Sequence, residues 1–522
     1  MADKTLLGKL ASAGIMSMDD AMRMADFKFK PLALARSFQG AQVSNLTNGW
    51  ASTPKPIDVD IRSGLRKLRA RSRHEAQNND YVRRFFQLCK TNVIGANGIQ
   101  MQARIADPDG TKDPLASAAI EAAWLDWCRK GVCDVTARHS WKMTQRLNIE
   151  TLMRDGEILL RRVKNYSGNK YRYAVQLLDV ELLDVDYSGD YRGNTIRMGV
   201  ELDAWRKPVA YHLRTNMITA DTYESHGMRY MRIPADEILH EFLPEWVWQT
   251  RGIPACATGL LRLNMLSGYE DAELVASRVS ASKFAVYERT GDDVPPATGG
   301  VTGIATAGTA GRFVQDVEPG MMEIAPDGYR LNYIDPQHPN AAYQAFIKAT
   351  LRGIASGLGV SYNSLANDLE GVNYSSLRAG ALEDRDVWMA VQDWYIESIC
   401  QPIFEDWLLY ALSSKAITIY SPKSKTYMPL KAELYDKYNS VLWQPRRWQW
   451  VDPQKELSAH EIAFAHKLRS PQSVIRDMGA DPEDVLDEWE AWQQMLADRN
   501  LKTEPATPAG FDVIEADKNA DE

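Results

Sequence analysis

The sequence predicts an α+β fold with helical segments on either side of a β-rich body and one very long helix in the second half. Three observations predict it. Apolar residues recur near helical spacing over residues 62–92, 115–130 and 141–155. Short β-type runs separated by Gly, Asn, Ser and Asp fill residues 157–245. Val387, Val391, Tyr395, Ile399, Ile403 and Trp407 then repeat every four residues, a narrow stripe suited to packing along a neighbour. A chain of 522 residues without an obvious internal repeat allows two to four domains or one large body.

From the N-terminus, residues 1 to about 60 read as an arm and linker, with Pro54 and Pro56 marking a loop. A basic cluster comes next at Arg62, Arg66, Lys67, Arg69, Arg71 and Arg73. Such a cluster is usually a solvated helix face; contact with nucleic acid or a neighbouring subunit is the sharper alternative. Tyr81, Phe85, Phe86 and Val93 continue the helical pattern until Gly95 and Gly98 stop it. Trp124, Trp127, Leu147 and Leu152 are core candidates on the next two helices. The β body carries the runs Ile158–Leu160, Tyr171–Leu178, Ile196–Val200 and Val209–Leu213.

A proline-free apolar face (Leu260, Leu263, Leu266, Tyr269, Leu274 and Val279) predicts a helix over 257–288. Residues 290–312, rich in Gly and Pro, predict an irregular loop, with strand-like runs after it at Arg312–Val317 and Met321–Ile324. A second amphipathic helix covers Ala341–Leu358, and a polar loop covers Asn363–Asn373. The long helix runs from about Ser375 to Leu412, about 55 Å at 1.5 Å per residue, and Pro402 should bend it. Asp452-Pro453 opens a helical region that reaches about Asn500, interrupted by Gly479 and Pro482. Residues 502–522, rich in Ala, Pro, Asp and Glu, read as disordered.

The formal net charge of -8 argues against a surface that grips nucleic acid everywhere, while leaving room for local basic patches. Fifteen tryptophans suit an assembling subunit or a Trp-rich core. Five scattered cysteines favour a reducing compartment, and the Cys128/Cys133 pair has no second pair to complete a metal site. No apolar run approaches the roughly 20 residues of a membrane span, and Met1–Lys30, with Asp19, Asp20 and Asp26, does not read as a signal peptide.

Catalytic signatures are missing from the sequence. There is no phosphate-cradling G-x-x-x-x-G-K-[ST] and no G-x-S-x-G elbow. His460 and His466 lie about 240° apart on a helix, so they do not make a metalloprotease pair. Asp58-x-Asp60 and Asp184-x-Asp186 could hold a divalent metal in a nuclease-like, DNA-processing enzyme, the alternative reading; solvated surface carboxylates are the plainer one. No cofactor is expected.

An ordered series of motifs resembles the lambda family of phage portal proteins. It begins with Ser72-Arg-His-Glu-Ala-Gln-Asn-Asn79 and Thr91-Asn-Val-Ile-Gly-Ala-Asn-Gly98. It continues with Asp155-Gly-Glu157, Gln176-Leu-Leu-Asp179 and Ile233-Pro-Ala-Asp-Glu-Ile-Leu-His240. Gln249-Thr-Arg-Gly-Ile-Pro254, Ile354-Ala-Ser-Gly-Leu-Gly-Val-Ser-Tyr362 and Trp448-Gln-Trp-Val-Asp-Pro453 complete it. The series spans about residues 35–500; the first 30 residues carry no motif of it.

The resemblance implies a structural subunit, not an enzyme, with the portal fold of wing, stem, clip and crown. It implies a homo-oligomeric ring, typically a dodecamer, at the portal vertex of the virion, assembled in the bacterial host cytoplasm. On this pattern residues 1–30 are an arm, 31–256 the wing, 257–288 a stem helix and 289–340 the clip. Residues 341–362 are the second stem helix, 363–374 the tunnel loop, 375–450 the long helix and the rest of the wing, 451–500 the crown and 501–522 a tail. Implied partners are the terminase large subunit, head-completion or adaptor proteins, major capsid and scaffolding proteins, and double-stranded DNA in transit, with no membrane. Asn367, Asp368, Glu370 and Asn373 would face the duplex, where the acidic groups would repel phosphate. Lys283, Lys348 and Arg352 are candidates for brief phosphate contacts, with intersubunit salt bridges as the plainer role.

Overall fold

The computed structural model describes residues 49, 53–215, 230–281, 285–289, 329–333, 342–370, 374–421, 425–448, 453–477 and 482–499. The chain divides into two units, Met1–Pro56 and Ile57–Glu522, and the described helices and strands belong to the second. The expected strands at Arg312–Val317 and Met321–Ile324, the tail after residue 501, and Lys283 and Asn373 lie outside the described residues.

Helices α1 (Ile57–Asn78) and α2 (Asp80–Cys89) form the expected pair. Asn79 separates them in an extended conformation, and its side chain accepts from the backbone N–H groups of Tyr81 and Val82, the usual work of an N-cap. A π turn at Lys90–Ile94 closes at Gly95, whose φ of 77° suits glycine. Helix α3 (Pro114–Trp127) starts with Asp113 as N-cap and Pro at its first turn. Helix α4 (Trp141–Asp155) starts at Ser140 and ends at Gly156, φ 91°.

The β body is two antiparallel sheets. Strand β2 (Ile158–Lys164) lies between β3 (Tyr173–Leu177) and β9 (Ile238–Glu241). Strands β4 (Gly189–Tyr191), β5 (Asn194–Arg197), β6 (Val200–Leu202), β7 (Pro208–Arg214) and β8 (Tyr230–Pro234) form a five-stranded meander. A small core of Leu159, Val180, Leu183, Val200, Tyr211, Leu213, Ile233 and Ile238 joins the two sheets.

Helix α5 (Leu260–Ala281) is seven residues shorter at its C-terminus than the spacing predicts. Ala285–Arg289 is instead strand β10, paired with β11 (Tyr329–Tyr333). Val286 and Tyr287 favour an extended chain, and a distant partner strand supplies the hydrogen bonds that a helix would otherwise have made. Helix α6 (Tyr343–Leu358) ends at Gly359, φ 68°, and a short helix α7 (Tyr362–Ala366) stands where a loop was expected.

The long helix is present but interrupted. Helix α8 (Tyr374–Tyr395) passes through a π turn (Ile396–Cys400) into α9 (Gln401–Ser413), with Pro402 in the first turn of α9. Proline has no N–H to give, and the wider turn before it accommodates that loss. The four-residue stripe does not serve a neighbour over most of its length. Tyr395, Ile399, Ile403 and Trp407 are fully buried in this chain's own core, and only Val387 is well exposed. Trp124, Trp127, Trp141, Phe404, Trp407 and Trp443 form one aromatic cluster, with the stacked pair Trp124–Trp127 at 4.9 Å. The tryptophan-rich core is therefore part of the explanation for the tryptophan count.

Strand β14 (Val441–Gln444) returns to pair with β1 (Gln100–Ala103). Between α9 and β14 lie the hairpin β12 (Thr418–Ser421)/β13 (Thr426–Pro429) and a short helix α10 (Tyr435–Tyr438). Helices α11 (Pro453–Ala465), α12 (Pro471–Asp477) and α13 (Pro482–Asp498) complete the described chain. Among the described residues no helix is long and apolar enough to cross a membrane. All five cysteines are free thiols.

One buried carboxylate joins these parts. Glu157 is inaccessible to solvent, as are Arg251 and, nearly so, Arg69. Arg251 Nε lies 3.0 Å from both carboxylate oxygens, and a second guanidinium nitrogen pairs with Oε1. Arg69 reaches the same Oε1, and the Gly252 N–H donates to Oε2 at 2.9 Å. His240 Nε2 lies 2.9 Å from Oε2. Burial would raise the Glu157 carboxyl, but the charges of Arg251, Arg69 and His240 override it and hold it well below the usual range. Burial keeps His240 on the neutral side, so its Nε2–H donates to a carboxylate that can only accept. The Glu157→Gln variant leaves two buried guanidinium groups without their anion. Loss of one partner from a buried pair costs about 3–5 kcal/mol, so its thermal melt, followed by circular dichroism, should shift sharply downward; an unchanged melt would contradict this role for Glu157.

Candidate functional site

Half of the basic cluster on α1 is not a free surface. Arg66, Arg69 and Arg73 follow the i, i+3, i+7 rule of one helix face. Arg73 Nε lies 2.6 Å from Asp155 Oδ1, and its terminal nitrogen 2.8 Å from Asp179 Oδ1. Arg69 pairs with Glu157 and, at 3.5 Å, Glu181. Arg66 pairs with Asp186 at 2.7 Å and Asp184 at 3.4 Å. Arg62, Lys67 and Arg71 remain exposed. One face of α1 thus holds the β body through successive arginines.

The same pairs involve carboxylates of the nuclease-like alternative. Asp184 lies 2.5 Å from Arg214 and 2.6 Å from the Tyr230 hydroxyl. Burial alone would raise its carboxyl, but these two partners keep it below the usual carboxylate range. Asp58 accepts from the Thr250 N–H and hydroxyl at 2.9 and 2.7 Å, with Arg197 and Arg206 beside it. These carboxylates face cations already in place, and no metal-ligating group of three occurs among the described residues.

The loop between α6 and α8 is the candidate site. Helices α5 and α6 pack through Leu263, Leu266, Leu351 and Ile354, all buried, and through Tyr269, which stacks on Tyr343 at 5.9 Å and meets Phe346 edge-on at 5.0 Å. The Tyr81 hydroxyl ties this pair to α2 by donating to Glu270 at 2.9 Å. On the outside of the pair, Leu261, Met265, Leu274 and Phe346 stand exposed.

Three of the expected loop residues are described. Asn367 ends α7 in the left-handed region, φ 53°, a conformation asparagine tolerates. Lys348, one turn and a half into α6, lies 3.1 Å from Asp368 and 3.2 Å from Glu370. The Tyr362 hydroxyl donates to Asp368 at 2.8 Å, the Glu370 N–H donates to the other Asp368 oxygen at 2.9 Å, and Gln344 donates to Glu370 at 3.3 Å. Arg352 lies over the Tyr362 ring, 5.4 Å from its centroid. The loop is therefore folded back on α6 by Lys348. Sequence reasoning named Lys348, Asp368 and Glu370 separately, but not their pairing. It missed the role of Tyr362, although that residue ends a motif of the series, and it missed Gln344, which carries no signal beyond being polar and close to Lys348.

The Tyr362 hydroxyl first, then the Glu370 N–H and Lys348, hold the Asp368 carboxyl at about 2. The two carboxylates, Asp368 then Glu370, raise Lys348 above the usual lysine range.

Lys348→Gln removes the cation that holds both loop carboxylates. Hydrogen–deuterium exchange at Asp368–Glu370 should become several-fold faster, while α5 and α6 keep their protection. The pH dependence has a definite sign: Asp368 is depressed from an ordinary value near 3.8 to about 2, so the latch is at full strength above the ordinary value and is lost as pH falls through about 2. Loop protection that already disappears near pH 5 would contradict this.

Known proteins share this chain's pattern. The model of a family described as phage portal protein, lambda family, matches residues 44–392. A probable portal protein of Halomonas phage phiHAP-1 is 33% identical over 88% of this chain and 86% of its own length. Portal protein B of Escherichia phage lambda is 22% identical over 86% of this chain and 87% of its own. Among solved structures, a chain from the neck of an empty gene transfer agent particle gives a TM-score of 0.38 at 14% identity, over 84% of this chain and 98% of that one.

Proposed function

We propose a function from one premise: the chain belongs to the lambda family of phage portal proteins. It is a structural protein of the phage head–tail connector, not an enzyme. In the proposed reading it assembles as a ring, typically of twelve copies, at the portal vertex of the virion, and double-stranded DNA passes through the ring in packaging and ejection. Helices α5 and α6 are the stem, and the loop after α7 lines the narrow part of the channel. Residues 289–340 form a clip that meets the terminase large subunit during packaging and head-completion or adaptor proteins afterwards. The wing and crown meet major capsid and scaffolding proteins, and assembly takes place in the host cytoplasm.

The observation that carries the reading is the charge balance of the loop. Asp368 and Glu370 are matched by Lys348, with Arg352 close by: two carboxylates and two cations. A duplex that must slide cannot be gripped, because phosphate contacts through counterion release are strong and additive. It should not be repelled along the whole path either. A locally neutral loop satisfies both demands better than the purely repulsive acidic loop the sequence suggested. The exposed apolar face of the stem pair gives a neighbouring copy something to bury.

Negative-stain microscopy of the purified protein should show rings; a monomer that persists under every assembly condition would overturn the reading. Deleting Leu369–Val372 should leave rings intact and reduce the DNA packaged per head, measured by nuclease-protected DNA. A normal phage yield from that deletion would remove the role given to the loop.

A further inference from the structure

We propose that the hairpin β12–β13 is a second contact site for double-stranded DNA, engaging phosphates and separate from the loop after α7. Charge points to it first. Between Trp407 and Ala432 the sequence has four lysines and no acidic residue, in a chain of net charge -8. Three of these, Lys415, Lys425 and Lys431, are described and exposed, and none makes an ion pair among the described residues. That sets them apart from Arg66, Arg69 and Arg73 of α1, whose charges are spent within the fold. Along the sequence, the next acidic residues after Lys431 are Glu433 and Asp436, on the short helical segments that follow.

The shape fits the same ligand. Strand β13 is exposed at all four residues, and the Tyr420 and Tyr427 rings meet across the strands at 5.5 Å, which stiffens the ribbon. Four residues span about 13 Å, with Lys415 and Lys431 at the base and Lys425 at the turn, where φ is 54°. A two-stranded ribbon of this size enters a major groove, roughly 12 Å wide, and lysines at both ends reach phosphates on its two sides. Lysine point charges, rather than arginine forks, suit contact without sequence preference.

Position makes it a separate site. The hairpin comes after the C-terminus of α9, and the channel loop precedes the N-terminus of α8. Forty residues of nearly continuous helix, Tyr374–Ser413, lie between them, about 60 Å at 1.5 Å per residue. The hairpin and the loop are therefore different stretches of the chain, and a duplex of about 30 base pairs, roughly 100 Å long, is long enough to touch either or both. Binding at the hairpin does not need the ring, so it stands or falls apart from the proposed function.

The test uses the full-length protein and a fluorescein-labelled duplex of about 30 base pairs, with anisotropy read from about 50 to 200 mM salt. The variant K415Q/K425Q/K431Q should bind at least roughly tenfold more weakly at the lowest salt. Its slope of log affinity against log salt should be shallower by about 2–3, since each phosphate contact contributes about 0.9. K415R/K425R/K431R should retain binding, and both variants should keep the wild-type melting curve, which separates loss of charge from loss of fold. Entry of duplex into a ring channel is common to all three proteins and cancels in the comparison. Wild-type affinity in the glutamine variant, or no duplex binding by the wild type, overturns the proposal. So does tighter binding of a polyglutamate peptide than of the duplex, which would assign the surface to an acidic protein.

Discussion

The fold of this chain depends on a carboxylate that water cannot reach. Glu157 sits at the start of β2 and gathers Arg69 from α1, His240 from β9 and Arg251 with the Gly252 N–H from the segment that leads to α5. Arg251 also donates to the carbonyls of Leu183 and Met198, so its guanidinium fills the space between the two sheets. A buried anion is tolerable only when its hydrogen-bonding capacity is filled and its charge is matched. Here four separate stretches of chain must be in register for that to hold. Gly156 completes the constraint: a Cβ there would overlap the backbone of Ile253. Several motifs of the family series therefore meet at one place, where they set the angle between α1, the β body and the entry to α5.

Internal pairing of charge is the rule elsewhere as well. The arginine face of α1 is consumed by Asp155, Asp179, Asp184 and Asp186. Lys437 is consumed by Asp107 and Asp113. Lys348 is consumed by the loop carboxylates. Under the proposed function, in which DNA passes the ring, this matters more than net charge. A cation already paired within its own fold offers a passing phosphate little, because binding would have to displace a neighbour at short range. Arg62, Lys67 and Arg71 on α1 stay exposed, and the hairpin after α9 adds exposed lysines in a stretch of sequence without carboxylates.

The long interrupted helix transmits position between these regions. Its middle is fixed by the tryptophan cluster and by Gln392, whose amide donates to the carbonyls of Asn92, Val93 and Arg446. Asn148 reaches the Tyr395 hydroxyl at 3.0 Å. The N-terminal end is held by a different contact, Asp384 accepting from the Ser361 N–H and hydroxyl beside the loop. The π turn before Pro402 carries the helix past the proline, whose missing N–H an uninterrupted α-helix would need.

Much of this was legible in the sequence, because helix periodicity, turn residues and N-cap chemistry are local. The helices around Trp124, Leu152 and Leu263 and the β body after Glu157 come from spacing alone, Pro402 marked the place where the long helix is interrupted, and the motif series was enough to place the chain in its family. Three things were decided only in three dimensions. Ala285–Arg289 is a strand because a partner some 40 residues away in the sequence, Tyr329–Tyr333, completes its hydrogen bonds. The stripe from Tyr395 to Trp407 faces this chain's own core because Trp124 and Trp443 fold over it. The charge of the acidic loop residues is offset because Lys348, with Arg352 close by, lies on the facing helix. Each depends on which distant residue arrives opposite, and a spacing pattern holds no information about that.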